Sequence, residues 1–170
     1  MTTLPRGTAA DRRGAVRRRR TLAAAGAASA GLLLLSACDK PTPMATVTVG
    51  SSSVSSEATC GGRGAALSEE EINDCLQEED VKSLTVDPDE IVRFGVDQEV
   101  ADDHWTILMN GQQLVEDSTK TYRTIPGSVF FNAQYGAQGD TTSVAVAARD
   151  GAEGSQEVTG VWVFELKKDD

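Results

Sequence analysis

The segment His104-Trp-Thr-Ile-Leu-Met-Asn-Gly-Gln-Gln-Leu-Val115 carries the clearest fold signal in the chain. Two runs that suit β-strands flank Asn110-Gly111, a dipeptide that strongly favours a two-residue hairpin turn. In that register Ile107 lies opposite Leu114, and the residues two before and two after Ile107 share its face because side chains alternate along a strand. The segment therefore predicts an antiparallel hairpin with one apolar face.

Similar runs, separated by turn signals, recur on both sides of this hairpin. Asp87-Pro88-Asp89-Glu90 is a type I turn pattern with Pro at its second position, and the Ser-rich residues 50–56 are expected to turn into a further strand. About eight or nine short strands with one helix predict a mainly β fold, an antiparallel, immunoglobulin-like β-sandwich. The predicted strands are 45–49, 83–86, 91–96, 104–109, 112–115, 120–124, 128–132, 141–149 and 158–166.

One helix is predicted between the strands at 45–49 and 83–86. Ser68-Glu69-Glu70-Glu71 is a capping box with Ser68 as the N-cap, and Leu67 and Ile72 occupy the two positions of a hydrophobic staple. Apolar residues then continue at helical spacing through Cys75. The pattern predicts a short helix whose apolar stripe carries Cys75 towards the body of the domain.

The large aromatic residues are predicted to fill the core; a ligand-stacking platform is the alternative use of such side chains. On the last predicted strand Trp162, Phe164 and Leu166 share one face. Val161 and Val163 share the other face, which predicts a strand that is buried on both sides. The aromatic core candidates are Phe94, Trp105, Phe130, Phe131, Trp162 and Phe164.

The charge of the chain is unevenly divided. Its 170 residues leave room for one ordinary globular domain, and the formal net charge is −10. Residues 1–38 hold seven Arg and one Asp, a net charge of +6, whereas residues 39–170 hold 9 basic and 25 acidic residues, a net charge of −16. A domain this acidic has few cations to release counterions from phosphates, which argues against nucleic acid as a partner.

The basic N-terminal segment has the layout of an export signal. Four consecutive Arg at 17–20 precede an uncharged stretch, 22–35, that is short and Ala-rich for a membrane-spanning helix. Leu35-Ser36-Ala37-Cys38 resembles the lipobox of bacterial lipoproteins in all four positions. The resemblance implies cleavage before Cys38 and acylation of Cys38 with two or three chains such as palmitate. A Cys at the end of a transmembrane anchor is the alternative.

This interpretation divides the chain into a signal peptide (1–37), a lipidated tether (38–44) and a β-sandwich domain (45–170). It leaves Cys60 and Cys75 as a pair in an oxidising exterior, where a disulfide is the expected state. Such a bond closes a loop of about 15 residues and contributes roughly 3 kcal/mol in the chain-entropy model. The alternatives, a Cys-based metal site or a redox dithiol, lack a C-x-x-C motif, and the chain has one His.

Two acidic loops hold the weak candidates for a cation site. Asp87 and Asp89 lie in the predicted turn, and Asp97 and Asp102 lie in the loop that precedes the hairpin. Neither loop has the D-x-D-x-D-G spacing of an EF-hand. The sequence therefore predicts no metal site and favours a solvated acidic surface. His104 is expected to be exposed rather than catalytic.

The sequence from Cys38 onward resembles a group of small lipoproteins of high-GC actinobacteria whose function is not established. The resemblance covers nearly all of this part of the chain. It implies a lipid-anchored location and a two-Cys, sandwich-like domain, and it carries over no catalytic residue. It rests on Cys38-Asp-Lys-Pro-Thr-Pro43, Ala45-Thr-Val-Thr-Val49, Cys60, Cys75, Gly95-Val-Asp-Gln-Glu-Val-Ala101, Trp105, Asn110-Gly-Gln-Gln113, Lys120-Thr-Tyr-Arg123 and Gly160-Val-Trp-Val-Phe-Glu-Leu-Lys167.

Together these patterns predict a non-catalytic lipoprotein on the extracytoplasmic face of the cell membrane. It is expected to need no cofactor and to bind a protein or a cell-envelope component. An enzyme is not expected, because no nucleophile stands in an activating context. The alternative is a small ligand- or cation-binding extracytoplasmic module that uses the acidic loops.

Overall fold

A computed structural model describes residues 41–151 and 155–169. The predicted signal peptide, the lipobox and Cys38 lie outside the described residues. In chain order the elements are β1 (Ala45–Val49), β2 (Ser52–Ser56), β3 (Cys60–Gly61), α1 (Glu69–Leu76), β4 (Lys82–Val86), β5 (Ile91–Val96), α2 (Gln98–Asp102), β6 (Trp105–Met109), β7 (Gln112–Gln113), β8 (Tyr122–Pro126), two 3-10 helices (Gly127–Phe131 and Ala133–Tyr135), β9 (Thr141–Arg149) and β10 (Val158–Lys168).

The strands form two sheets that pack face to face, which confirms the predicted β-sandwich with a short disulfide-linked helix. One sheet has the order β2-β1-β5-β8, and the other has the order β3-β10-β9-β6-β7. β4 joins the second sheet by pairing with the end of β10 in parallel, the one departure from antiparallel pairing among the described strands. β3 pairs only with the start of β10, so β4 covers the rest of that edge.

The hairpin that dominates the sequence signal forms in the predicted register. The Leu114 N–H donates to the Ile107 carbonyl at 2.8 Å, and Asn110 and Gly111 both have positive φ angles, 49° and 78°, as a primed hairpin turn requires. β7 is shorter than predicted, because after Gln113 the chain leaves the ladder.

The core contains five of the six predicted aromatic residues, and Phe131 is only half-buried. In place of the strand predicted at 128–132 the chain forms a 3-10 helix at Gly127–Phe131, although Val, Phe and Phe in succession favour a strand. The Thr142 hydroxyl donates to the Phe130 carbonyl at 2.6 Å, and the Phe130 ring lies 5.9 Å from that of Phe94. These tertiary contacts outweigh the local strand preference.

β10 is buried on both faces, as predicted. Trp162, Phe164 and Leu166 belong to the core between the sheets. Val161 and Val163 belong to a second, smaller cluster on the outer face of the six-stranded sheet. β10 therefore contributes side chains to two separate apolar cores.

Candidate functional site

The predicted disulfide joins Cys60 on β3 to Cys75 on α1, with a distance of 6.0 Å between the two Cα atoms. Cys75 is 2% exposed and packs with Val161 and Val163 in the second cluster. The bond thus holds α1 over the outer face of the six-stranded sheet. This outer face is therefore covered by the chain's own helix.

Helix α1 begins at the predicted capping box. The Glu71 N–H donates to the Ser68 hydroxyl at 3.3 Å, and the Glu71 carboxylate accepts from the Ser68 backbone N–H at 2.8 Å and from its hydroxyl at 2.7 Å. The backbone N–H of Ser68, and next its hydroxyl, lower the pKa of Glu71 from its ordinary value of 4.5. These bonds favour the charged carboxylate in the folded state.

We expect the capping box to make stability depend on pH. A lowered pKa means that the unfolded state binds more protons, so the stabilisation is complete above pH 4.5 and is lost as pH falls through the pKa of Glu71. Urea unfolding from pH 7 to pH 3 should show that Glu71→Gln is less stable than the original protein at neutral pH and that the gap closes in acid. Glu70→Gln, which removes the same charge next to the capping box, is the control. A gap for Glu71→Gln that stays constant with pH would contradict this expectation.

The four carboxylates named as weak cation candidates do not meet. Asp87 and Asp89 precede β5 and Asp97 and Asp102 follow it, so the two pairs are separated by the length of a six-residue strand, about 20 Å. Three of the four already accept hydrogen bonds: Asp87 from the Asp89 N–H at 2.8 Å, Asp97 from a backbone N–H at 2.8 Å and Asp102 from a Gln side chain at 2.7 Å. Among the described residues no group of three or more His, Cys, Asp or Glu side chains is arranged to hold a metal ion.

Calcium is therefore expected to leave the melting temperature unchanged. An ion present at a hundred times its Kd would add about 2.7 kcal/mol to the free energy of unfolding. Thermal unfolding in millimolar calcium, with sodium chloride at matched ionic strength as the control, checks this. A rise specific to calcium would favour the cation-binding alternative.

His104 is exposed, as predicted, and its backbone joins α2 to β6. Its φ of 62° lies in the left-handed region, which β-carbon-bearing residues seldom adopt. The His104 N–H donates to the Ala101 carbonyl at 3.3 Å, and the His104 carbonyl accepts from the Arg149 N–H at 3.0 Å. The residue is thus placed at a helix end by its backbone bonds.

Arg149 forms a polar junction that the sequence does not reveal. Its guanidinium donates to Gln156 Oε1 at 2.7 Å and to Gln113 Oε1 at 3.1 Å, and its Nε lies 3.3 Å from Asp117 Oδ1. The side chain is 12% exposed. These contacts join the end of β9 to the hairpin and to the segment that follows it, so the guanidinium is engaged inside the domain.

The predicted tether is bound to the domain in its last three residues, Thr42–Met44, here called the docking segment. The Ala58 N–H donates to the Thr42 hydroxyl at 2.9 Å. The indole N–H of Trp162, a core residue of β10, donates to the Pro43 carbonyl at 2.8 Å. The docking segment thus contacts β10 and the loop between β2 and β3.

Asp97, one of the acidic candidates, fixes the end of the docking segment. The Met44 N–H donates to Asp97 Oδ2 at 2.8 Å, and the Asp97 N–H donates to the Met44 carbonyl at 3.1 Å. Asp97 also lies at the N-cap of α2. The Asp97 carboxylate therefore binds a backbone N–H of the same chain.

The outer face of the four-stranded sheet is a mostly polar surface with one exposed apolar corner at Ile91 and Pro126, here called the open face. Tyr122 is 58% exposed and lies opposite Gly95 in the ladder. A Cβ atom added to Gly95 would meet nothing closer than 3.9 Å, so the space above it is unfilled. Arg93 lies between Thr48 and Thr124. The open face consists of Thr46, Thr48, Ser53, Ser55, Ile91, Arg93, Gly95, Tyr122, Thr124 and Pro126, and Ile91 is its large aliphatic side chain, 59% exposed.

Two of these features, the docking segment and the open face, have no signal in the sequence strong enough to predict them. A buried Trp needs an acceptor for its N–H, but Trp162 and Pro43 are 119 positions apart. The alternate Thr residues of β1 predict that one of its faces is polar. The sequence does not predict which strands lie beside β1, because that depends on pairing between distant segments.

No protein-family model, curated protein or solved structure matches this chain. In the described part of the chain, no helix is both long and apolar enough to cross a membrane.

Proposed function

We propose that this protein is a lipid-anchored, non-catalytic extracytoplasmic lipoprotein that uses the open face to bind a protein or another cell-envelope component. The lipobox at Leu35–Cys38 supports the anchor, and the Cys60–Cys75 disulfide supports an oxidising compartment. With a net charge of −16 after cleavage, attachment relies on acyl chains rather than on attraction to anionic lipid.

The observation that carries the binding part is the chemistry of the open face. Tyr and Arg are the residue types that, with Trp, contribute most often to binding hot spots. Tyr122 has an exposed ring on β8 and lies opposite Gly95, above which the space is unfilled. Arg93 has its guanidinium two residues before Gly95 on β5, the neighbouring strand, and neighbouring strands are about 4.8 Å apart. The other sheet has its outer face covered by α1, which leaves the open face as the accessible sheet surface.

Site-specific photocrosslinking in cells tests this proposal. A benzophenone amino acid in place of Thr124 lies on the open face, and the same residue in place of Asn73 lies on α1 and is the matched control. We expect one discrete adduct from position 124, weakened by Tyr122→Ala, and none of the same mass from position 73. A ladder of unrelated adducts that is the same at both positions would overturn the proposal.

A further inference from the structure

The docking segment limits how far the domain can move from a lipid on Cys38. Thr42 is held by the Ala58 N–H at 2.9 Å, and the next residue is held by the Trp162 indole at 2.8 Å. Only residues 39–41 lie between the lipobox Cys and Thr42. Whatever their conformation, the Cα atoms of residues 38 and 42 are at most about 14 Å apart.

The docking segment also determines which end of the sandwich is close to the lipid. It leads into the start of β1, where Ala45 pairs with Ser56 and with Val96. From Val96 the chain continues through the five residues of α2 to the start of β6. The near end of the domain therefore contains α2, the start of β6 and the residues that follow β2.

The opposite end contains the turn at residues 87–90 and the second 3-10 helix. Asn110, beyond the last residue of β6, donates from its side chain to the Gly136 carbonyl at 2.9 Å, which places Tyr135 at this far end. Tyr135 is 55% exposed. The nine residues of β9 run between the two ends, a length of about 30 Å.

Charge opposes a flat orientation on an anionic bilayer, because lying flat would bring the far-end carboxylates of Asp87, Asp89 and Glu90 to the surface as well as those of the near end. Asp97, Glu99, Asp102 and Asp103 all lie in or beside α2. At physiological ionic strength their field extends about 8 Å, less than the reach of the linking residues. The linker therefore lets the near end sit just outside this repulsion, whereas a flat orientation would place carboxylates of both ends within it.

From these constraints we infer that the anchored domain stands upright, with the α2 end next to the lipid surface and the Tyr135 end directed away from it. The inference rests on the proposed lipidation of Cys38. The docking segment then determines the orientation of the domain, because the bonds of Thr42, Pro43 and Met44 to the domain shorten the linker between the lipid and the domain. The open face then runs along the side of the upright domain.

Energy transfer to lipid tests the orientation. The mature lipidated protein is placed in vesicles of phosphatidylcholine and anionic phosphatidylglycerol that contain a headgroup-labelled acceptor lipid. A donor dye is attached through a non-natural amino acid in place of either Glu57, beside the docking segment, or Tyr135. We expect transfer from position 57 to exceed transfer from position 135 by at least about twofold, since the two ends differ in height by the strand length of about 30 Å.

A ten-residue Gly-Ser insertion between Lys40 and Pro41 is the control, because it removes the constraint on distance while leaving the docking segment intact. The difference between the two donor positions should then become small. Equal transfer from both positions without the insertion would overturn the inference, provided that the protein floats with the vesicles. The variant Cys38→Ser is expected not to float with the vesicles. If the protein with Cys38 also failed to float, the proposed lipid anchor would be overturned instead.

Discussion

Replacing both Cys60 and Cys75 with Ala is expected to lower the melting temperature of the domain by about 10 °C or more. The disulfide closes a 15-residue separation, which is worth about 3 kcal/mol in the chain-entropy model. For a domain of this size each kcal/mol corresponds to a few degrees. Loss of the buried Cys75 sulfur adds to the effect, because it loosens α1 from Val161 and Val163.

Calorimetry of the oxidised protein, the reduced protein and the double variant separates the two contributions. The reduced protein keeps both sulfur atoms and loses only the bond, so its melting temperature should lie between the other two. We also expect reduction to increase hydrogen exchange in α1 before that in β9. A reduced protein as stable as the oxidised one would show that α1 is held by packing alone.

Trp162→Ala is expected to destabilise the domain by about 3–5 kcal/mol, because it removes a side chain that is 1% exposed. Trp162→Phe keeps an aromatic ring and removes the donor to the Pro43 carbonyl. Its additional consequence should be local: faster hydrogen exchange at the Met44 amide, which donates to the Asp97 carboxylate, and at the Ala58 amide, which donates to the Thr42 hydroxyl.

Trp105→Phe is the matched control for this prediction. Trp105 is also fully buried, and its indole N–H donates to the Lys120 carbonyl at 2.7 Å, away from the docking segment. Both Phe variants should be destabilised, but only Trp162→Phe should release Met44 and Ala58. Equal exchange at those two amides in both variants would mean that the indole does not hold the docking segment.

The local patterns in the sequence predicted most of the elements correctly. Asn110-Gly111 and the capping box at Ser68 depend on residues within a few positions, and both formed as expected. β9 and β5 were bounded correctly because their apolar alternation ends at turn residues on both sides. The pairing of Cys60 with Cys75 followed from their count.

The features that escaped prediction depend on contacts between distant segments. The strand-like run at 128–132 is a 3-10 helix because Gly127 packs against the turn at 87–90, where an added Cβ would lie 2.7 Å from the Asp87 carbonyl oxygen. The parallel pairing of β4 with β10 depends on an edge that β3 leaves open. At the candidate site the sequence marked Asp97 as a weak cation candidate, but it did not predict that the Asp97 carboxylate binds the Met44 N–H.

The mass of the mature N-terminal fragment decides whether the protein carries a lipid anchor on Cys38. The protein is extracted from membranes with detergent, digested, and the fragment that contains residue 38 is measured by mass spectrometry. A lipid-anchored domain predicts a fragment that begins at Cys38 and carries a diacylglycerol thioether on its sulfur, with or without an acylated amino group. A fragment with residues that precede Cys38, or with a free Cys38 thiol, would contradict the claim.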